Sequence, residues 1–189
     1  MKKRAVIPRS WKSTDAAAAA REFFLKPRKA AVRELMRELC SEDPFDHRSA
    51  AELARLVSRR EAGILVTYDD VLAEVAAELP MEEWQARGYV LVAAAHNAVT
   101  RAQRMRLVPL VRARLAEDRI AVRAMALEAF CVLAAREPEL GDEAMERLEE
   151  ARWSEDFALR ARARLMGPAV QADAASPQKQ KRKPILRPG

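Results

Sequence analysis

Glycine, cysteine, histidine and aromatic residues are all scarce in this chain, and each scarcity excludes something. Five glycines, at 63, 88, 141, 167 and 189, are too few and too scattered to cradle a phosphate. Two cysteines, Cys40 and Cys131, cannot supply a disulfide framework. Both fall among helical apolar positions and read as small core residues in a reducing compartment. The two histidines form no cluster with metal-ligand spacing. His47, beside Asp46, reads as a solvated residue of a helix first turn, and His96 as a partly buried helix residue. Aromatics make up 5% of the chain, so strand signals are few. No apolar run approaches the roughly 20 residues needed to cross a bilayer. The basic N-terminus, MKKRAVIPRSWKS, is not followed by an apolar stretch of about 7–15 residues, so a cytoplasmic protein without an export signal is expected. There is no nucleophile elbow and no kinase signature. The acid pairs Asp69-Asp70, Glu82-Glu83 and Glu149-Glu150 are adjacent, so their side chains diverge on a helix. The sequence therefore predicts no enzyme, no metal and no cofactor.

Lysine is missing from the whole middle of the chain, with none between Lys29 and Lys179. The net charge is +6, from 34 basic and 28 acidic residues. Residues 1–12 hold five bases and no acid, and residues 179–189 hold five more, again without an acid. The rest keeps 24 bases against 28 acids, a balance of −4. Arginine makes planar, bidentate pairs, whereas lysine is a strongly hydrated point charge. The body arginines accordingly read as partly structural and the ends as solvated polycations.

What is abundant is Ala, Leu, Val and Arg in helical patterns. Residues 1–12 read as a flexible basic arm. A helix capped by Ser13, Thr14 and Asp15 runs to about Leu25, where Pro27 interrupts it. Further helices are predicted at about 28–40, 44–62, 68–79, 81–101, 103–116, 119–136, 140–151 and 155–166. Gly63 is a left-handed stop, Thr67 with Asp70 forms a capping box, Pro109 kinks its helix and Asp118 caps the next one. Residues 13–166 make the folded domain, and 167–189 form a disordered, basic, proline-containing tail on composition.

Four copies of one signature run through the body: acid, any, bulky apolar, any, any, Arg, small. They are Asp43-Phe45-Arg48-Ser49, Glu82-Trp84-Arg87-Gly88, Asp118-Ile120-Arg123-Ala124 and Glu155-Phe157-Arg160-Ala161. The arginines are spaced by 39, 36 and 37 residues. A fixed period of this size marks stacked helix pairs, because no single pair can bury its apolar face alone. The acid belongs in the first turn of each outer helix, where it meets exposed amides and the helix dipole. Phe45, Trp84, Ile120 and Phe157 are expected to anchor each copy on the previous repeat. Arg48, Arg87, Arg123 and Arg160 can reach an acid or carbonyl of a neighbouring repeat, and the small residue after each lets helices approach closely.

The stretch Asp118-Arg-Ile-Ala-Val-Arg-Ala-Met-Ala-Leu127 resembles the first helix of a bacterial HEAT-like, armadillo-type repeat, and the resemblance covers about residues 43–166. The other copies are looser, with His47, Ala86 and Leu159 at the Val122 position. Arg162 and Arg164 stand in usually apolar columns, suggesting a C-terminal cap with an exposed face. The resemblance implies an all-α, right-handed α-solenoid of about nine helices. It also implies a scaffold or binding platform, although a minority of such folds are DNA glycosylases gripping the duplex in a basic groove.

Two regions qualify as binding candidates. One is the arginine-rich segment 101–123, with Arg101, Arg104, Arg106, Arg112 and Arg114, either an acidic-partner surface or a set of snorkelling and inter-repeat arginines. The other is the tail with Lys179, Lys181, Arg182 and Lys183, suited to non-specific phosphate contact or to solubility alone. The favoured reading is a non-enzymatic scaffold that binds another protein. The alternative is a nucleic-acid-associated protein acting through its basic ends. A repeat-fold glycosylase comes last, because a body of −4 is a poor duplex clamp. The sequence leaves the partner and the oligomeric state open.

Overall fold

The computed structural model of the chain describes residues 16–41 and 44–174, and among them it is all-α. Nine α-helices occur in this range: α1 Ala16–Leu25, α2 Arg28–Leu39, α3 Pro44–Arg60, α4 Asp69–Glu78, α5 Trp84–Asn97, α6 Arg101–Leu115, α7 Ile120–Ala134, α8 Gly141–Arg152 and α9 Phe157–Ala174. Short 3-10 turns at Val66–Tyr68, Met81–Glu83 and Pro138–Leu140 lead into α4, α5 and α8. The arm at 1–12, the capping residues 13–15, Asp43 and the lysine-bearing tail lie outside the described residues.

The helices follow from the apolar spacing. On α2, Ala31, Val32, Leu35, Met36 and Leu39 are buried, a stripe at intervals of three and four. Its start is set by Pro27, which cannot continue α1 and occupies the cap position. α7 differs: every residue from Ala124 to Ala134 is buried. The packing explains this. α3 lies on α5, α5 on α7 and α7 on α9, while α4, α6 and α8 each cover the helix that follows them. Thus α5 and α7 are enclosed on several sides, and an all-round apolar helix is what such a position requires. Two of the signature helices, α5 and α7, are therefore interior rather than outer.

One local signal, Gly63, behaves as expected. Gly63 has φ +80°, a left-handed conformation that glycine adopts without a Cβ clash. Its N–H donates to the His96 carbonyl at 3.2 Å, tying the end of α3 to α5. Asn97, fully buried, closes the same corner. Its Oδ1 accepts from Leu65 N at 2.6 Å, and its Nδ2 donates to Ser58 Oγ at 2.7 Å and to the Ala93 carbonyl at 2.8 Å. A buried amide with its groups matched in this way fixes geometry without a desolvation penalty left over.

Other expectations are corrected. The Thr67–Asp70 capping box does not form, because the 3-10 turn puts Tyr68 at the cap of α4, where no side chain caps. The capping box is at Thr100 instead. Thr100 Oγ1 accepts from Gln103 N at 3.2 Å, and Gln103 Oε1 accepts from Thr100 N at 2.8 Å. Asp118 does not cap α7, whose cap residue is Arg119 without a side-chain bond. Pro109 lies inside α6, which leaves the Met105 carbonyl without its usual i+4 donor. Cys40 is exposed just past α2, and only Cys131 is a core residue. Finally, α9 does not stop at 166 but continues through Gly167 and Pro168 to Ala174. Gly167 is no terminator: it is buried, and a Cβ there would lie 2.8 Å from Arg152 Nη2. The residues after Pro168, Ala-Val-Gln-Ala-Asp-Ala, are mostly good helix formers.

Candidate functional site

The arginines of α6 are the natural place to look for a basic surface, and each of them meets a carboxylate. Arg101 donates to Glu139 at 2.8 and 2.9 Å, and Arg104 Nε donates to Glu137 at 2.7 Å. Arg106 donates to Asp69 at 2.7 Å and also pairs with Asp70. Arg112 meets Glu143 at 2.5 and 3.2 Å, and Arg114 meets Glu117 at 2.7 Å. Except for Arg114, the partners stand 31 to 38 residues away, one repeat before or after. The hydrogen bond to Glu139 raises the pKa of Arg101, as Asp70 does for Arg106 and Glu143 for Arg112. Burial raises the pKa of Asp69 despite the opposing pull of Arg106. α6 thus cross-links its flanking hairpins through arginine, with Arg104–Glu137 largely buried and Arg101–Glu139 exposed. Lys179, Lys181, Arg182 and Lys183 lie outside the described residues.

The signature has a direction opposite to the expected one. Trp84 is half-buried, and the Arg119 guanidinium lies 5.6 Å from its ring centre. Arg119 belongs to the next repeat, not the previous one. Arg87, 5% exposed, points the same way and places Nη2 3.4 Å from Glu117. Arg123 likewise reaches forward, into a cavity bordered by α8 and α9. Ile120 is half-buried, Arg48 is exposed, and the side chain of Phe45 lies outside the described residues. Phe157 is 74% exposed, so the anchoring role fails there. It stands at the forward-facing position of the last signature, with no later hairpin among the described residues to cover it. Arg160 turns back on its own loop and donates to the Ser154 carbonyl at 2.7 Å.

Two features of the corner between α8 and α9 escaped the sequence reading. The first is exposed apolar surface: Trp153 is 81% exposed, and Leu165 is 68% exposed. Trp153 donates from Nε1 to Glu149 at 2.8 Å, which lowers the pKa of that carboxyl. On α9 the exposed residues Phe157, Ala158, Arg164 and Leu165 recur at seven-residue intervals, one side of the helix. A signal was present: two aromatics, Trp153 and Phe157, bracket a short turn in a chain poor in aromatics.

The second feature is the cavity itself, of about 280 Å³. Leu115, Leu127 and Leu159 supply apolar walls, and Arg123, Arg147 and Glu150 supply charge. Arg147 Nη1 lies 3.1 Å from Glu150, so the cavity's one carboxylate is already engaged. The buried Nε of Arg123 has no hydrogen-bond partner.

A third constellation is internal. Glu128 on α7 is 1% exposed and is held by Arg59 of α3 and Arg162 of α9. Arg55 lies 4.8 Å from the Tyr89 ring centre, and burial lowers its pKa. His96 is pushed down to about 4, first by burial and then by Arg59 and Arg136, against the opposing influence of Glu128. At 1% exposure, with each carboxylate oxygen bonded to a guanidinium from another helix, Glu128 is out of a substrate's reach and ties helices together. Among the described residues no three His, Cys, Asp or Glu side chains are placed to hold a metal ion. No helix there is long and apolar enough to cross a membrane. No family model, no curated protein and no solved structure matches this chain.

Proposed function

We propose that this chain is a HEAT-like scaffold without chemistry of its own, a right-handed α-solenoid of helix pairs that binds another protein. The 37-residue signature and the one-repeat spacing of the α6 ion pairs support the repeat reading. The observation that carries the binding reading is the exposure of Trp153 and Phe157 at one turn, with Leu165 further along α9. Tryptophan is enriched among the residues that carry binding energy, and apolar side chains grouped on a surface mark interaction sites. Arg164 shares that side of α9, so the partner surface that fits carries apolar anchors flanked by an acid.

The test is affinity purification from the native host with the full chain and with Trp153→Ser/Phe157→Ser. Recovered partners are identified, purified and rebound to the chain. The expected result is a protein partner that survives nuclease treatment and about 0.3 M salt and is lost with the double variant. Equal recovery by the variant overturns the reading.

A nucleic-acid reading keeps one supporting observation. The ten bases at the two ends have no acids among them, whereas the α6 arginines are neutralised by internal pairs. On that reading, deleting 1–12 and 174–189 abolishes duplex binding and leaves the helical circular dichroism intact. Affinity retained by the truncated body points back to residues 101–123.

A further inference from the structure

The cavity around Arg123 occupies a place that the preceding repeat fills with a carboxylate. Arg87 and Arg123 are equivalent signature arginines, 36 residues apart. Arg87 reaches forward to Glu117, three residues before the signature Ile120. Three residues before the next bulky signature position, Phe157, stands Ser154. Ser154 lines the cavity, but its hydroxyl accepts from Asp156 N at 3.1 Å and brings no charge. Arg123 therefore has the forward geometry of Arg87 without its acid. No carboxylate lies within ion-pair distance of Arg123 among the described residues, and its Nε is buried and unmatched. The Nε of Arg87 is buried and unmatched too, so what sets Arg123 apart is the missing carboxylate at the end of its guanidinium, where Arg87 has Glu117.

We propose that this cavity binds a carboxylate borne on a short aliphatic group, which takes the place held by Glu117 in the repeat before. The charge balance selects a monoanion. Two guanidiniums face one carboxylate in the cavity, a surplus of one positive charge, and Glu150 repels a second negative charge on the ligand. The leucine walls select an aliphatic body over a fully polar one, and about 280 Å³ accommodates a branched chain of four to six carbons. The acid can come from a free small molecule or from a glutamate in a peptide, and both present the same group to Arg123. The inference stands apart from the scaffold reading, since a free acid in this cavity requires no protein partner.

The experiment follows the Arg123 Nε–H resonance of the full chain by ¹H–¹⁵N NMR. The probes are isovalerate, isovaleramide, acetyl-Ala-Leu-Glu-amide and acetyl-Ala-Leu-Gln-amide. Isovalerate is expected to shift the resonance with a dissociation constant of about 1 mM, and the neutral amides to bind about tenfold more weakly or not at all. Protein-wide shifts give the same readout for Arg123→Gln, which should lose the discrimination between acid and amide. Arg123→Lys should retain part of it. Ser154→Glu restores the internal acid, so it should exclude both carboxylates while folding as well as the parent by circular dichroism. A glutamate peptide that binds more tightly than isovalerate names a protein source, and the reverse order names a free acid. The proposal is overturned if neither carboxylate binds at about 10 mM. It also falls if the amides bind as well as the acids, or if Ser154→Glu leaves isovalerate binding unchanged.

Discussion

Arg59 and Glu128 form an ion pair across 69 residues of sequence, and α5 packs against both of the helices that carry them. Glu128 also accepts from Arg162, so one buried carboxylate joins α3, α7 and α9. Replacing it with glutamine removes the charge both guanidiniums face and leaves Arg55 closer to an uncompensated cationic cluster. Breaking a buried pair on one side costs about 3–5 kcal/mol, because the partner charge stays desolvated. Arg59 is 33% exposed and can turn outward, so the expected loss for Glu128→Gln is about 3 kcal/mol. Urea denaturation measures it. A loss under about 1 kcal/mol would mean that packing, not this carboxylate, joins the three helices.

His96 gives the fold a pH dependence of defined sign. Its folded pKa lies near 4, below the ordinary 6.5, chiefly because burial disfavours the imidazolium. Between those two values the unfolded chain takes up a proton that the native state does not. Its stabilising contribution is therefore fully present above about pH 6.5 and is lost as pH falls toward 4. The slope from one such group reaches at most about 1.4 kcal/mol per pH unit. Glu128, Arg59 and Arg136 face the ring, and only the acid opposes the shift. Urea midpoints at pH 7.5 and pH 5, compared between the parent and His96→Gln, isolate the effect. The variant should lose less stability on acidification, and parallel curves would assign the pH dependence to other groups.

The helices were legible because their apolar residues recur at three and four, and the period of the signature was legible because its arginines repeat. Direction was not. Spacing says which residues share a face of a helix, and it does not say whether the neighbour on that face comes earlier or later in the chain. Trp84 and Phe157 therefore looked equivalent, although one meets Arg119 and the other meets solvent. Glu128 had a readable signal, a lone acid inside the otherwise apolar Met125–Leu133 run of an arginine-rich chain. The capping box at Thr100 was readable as well, but it lies in the three-residue gap between α5 and α6, which apolar spacing alone does not mark. The Arg123 cavity had none, since its lining comes from four helices and a turn that only the fold brings together.

The two thiols should separate cleanly by reactivity. Cys131 is fully buried, and desolvation, with Glu128 nearby, pushes its pKa up to about 12. Cys40 is exposed at the end of α2, with its pKa raised by partial burial. Thiolate, not thiol, is the reacting species, so access and pKa both disfavour Cys131. Titration of the native chain with a disulfide reagent should modify Cys40 alone, and Cys131 only after denaturation. Mass mapping that finds Cys131 labelled in the native state would show the α7 core opening on the timescale of the reaction.

Gly88 tests whether the small position of the signature serves close packing. A Cβ on Gly88 would lie 2.6 Å from Met125 Sδ and 3.2 Å from Met125 Cβ, on the helix α5 packs against. The methionine tip can swing aside, but its Cβ is fixed to α7, and the side chain is 5% exposed with little room. Overpacking of this kind costs about 1–3 kcal/mol, while alanine in a helix interior gains about 1 kcal/mol over glycine. Gly88→Ala should therefore destabilise by about 1 kcal/mol in the parent. In a Met125→Ala background the obstruction is gone and only the helix preference remains, so the same change should become neutral or stabilising. A double-mutant cycle by urea denaturation should return a coupling of about 1–2 kcal/mol between these two residues. An equal effect of Gly88→Ala in both backgrounds would mean that the glycine is not there for the α5–α7 approach.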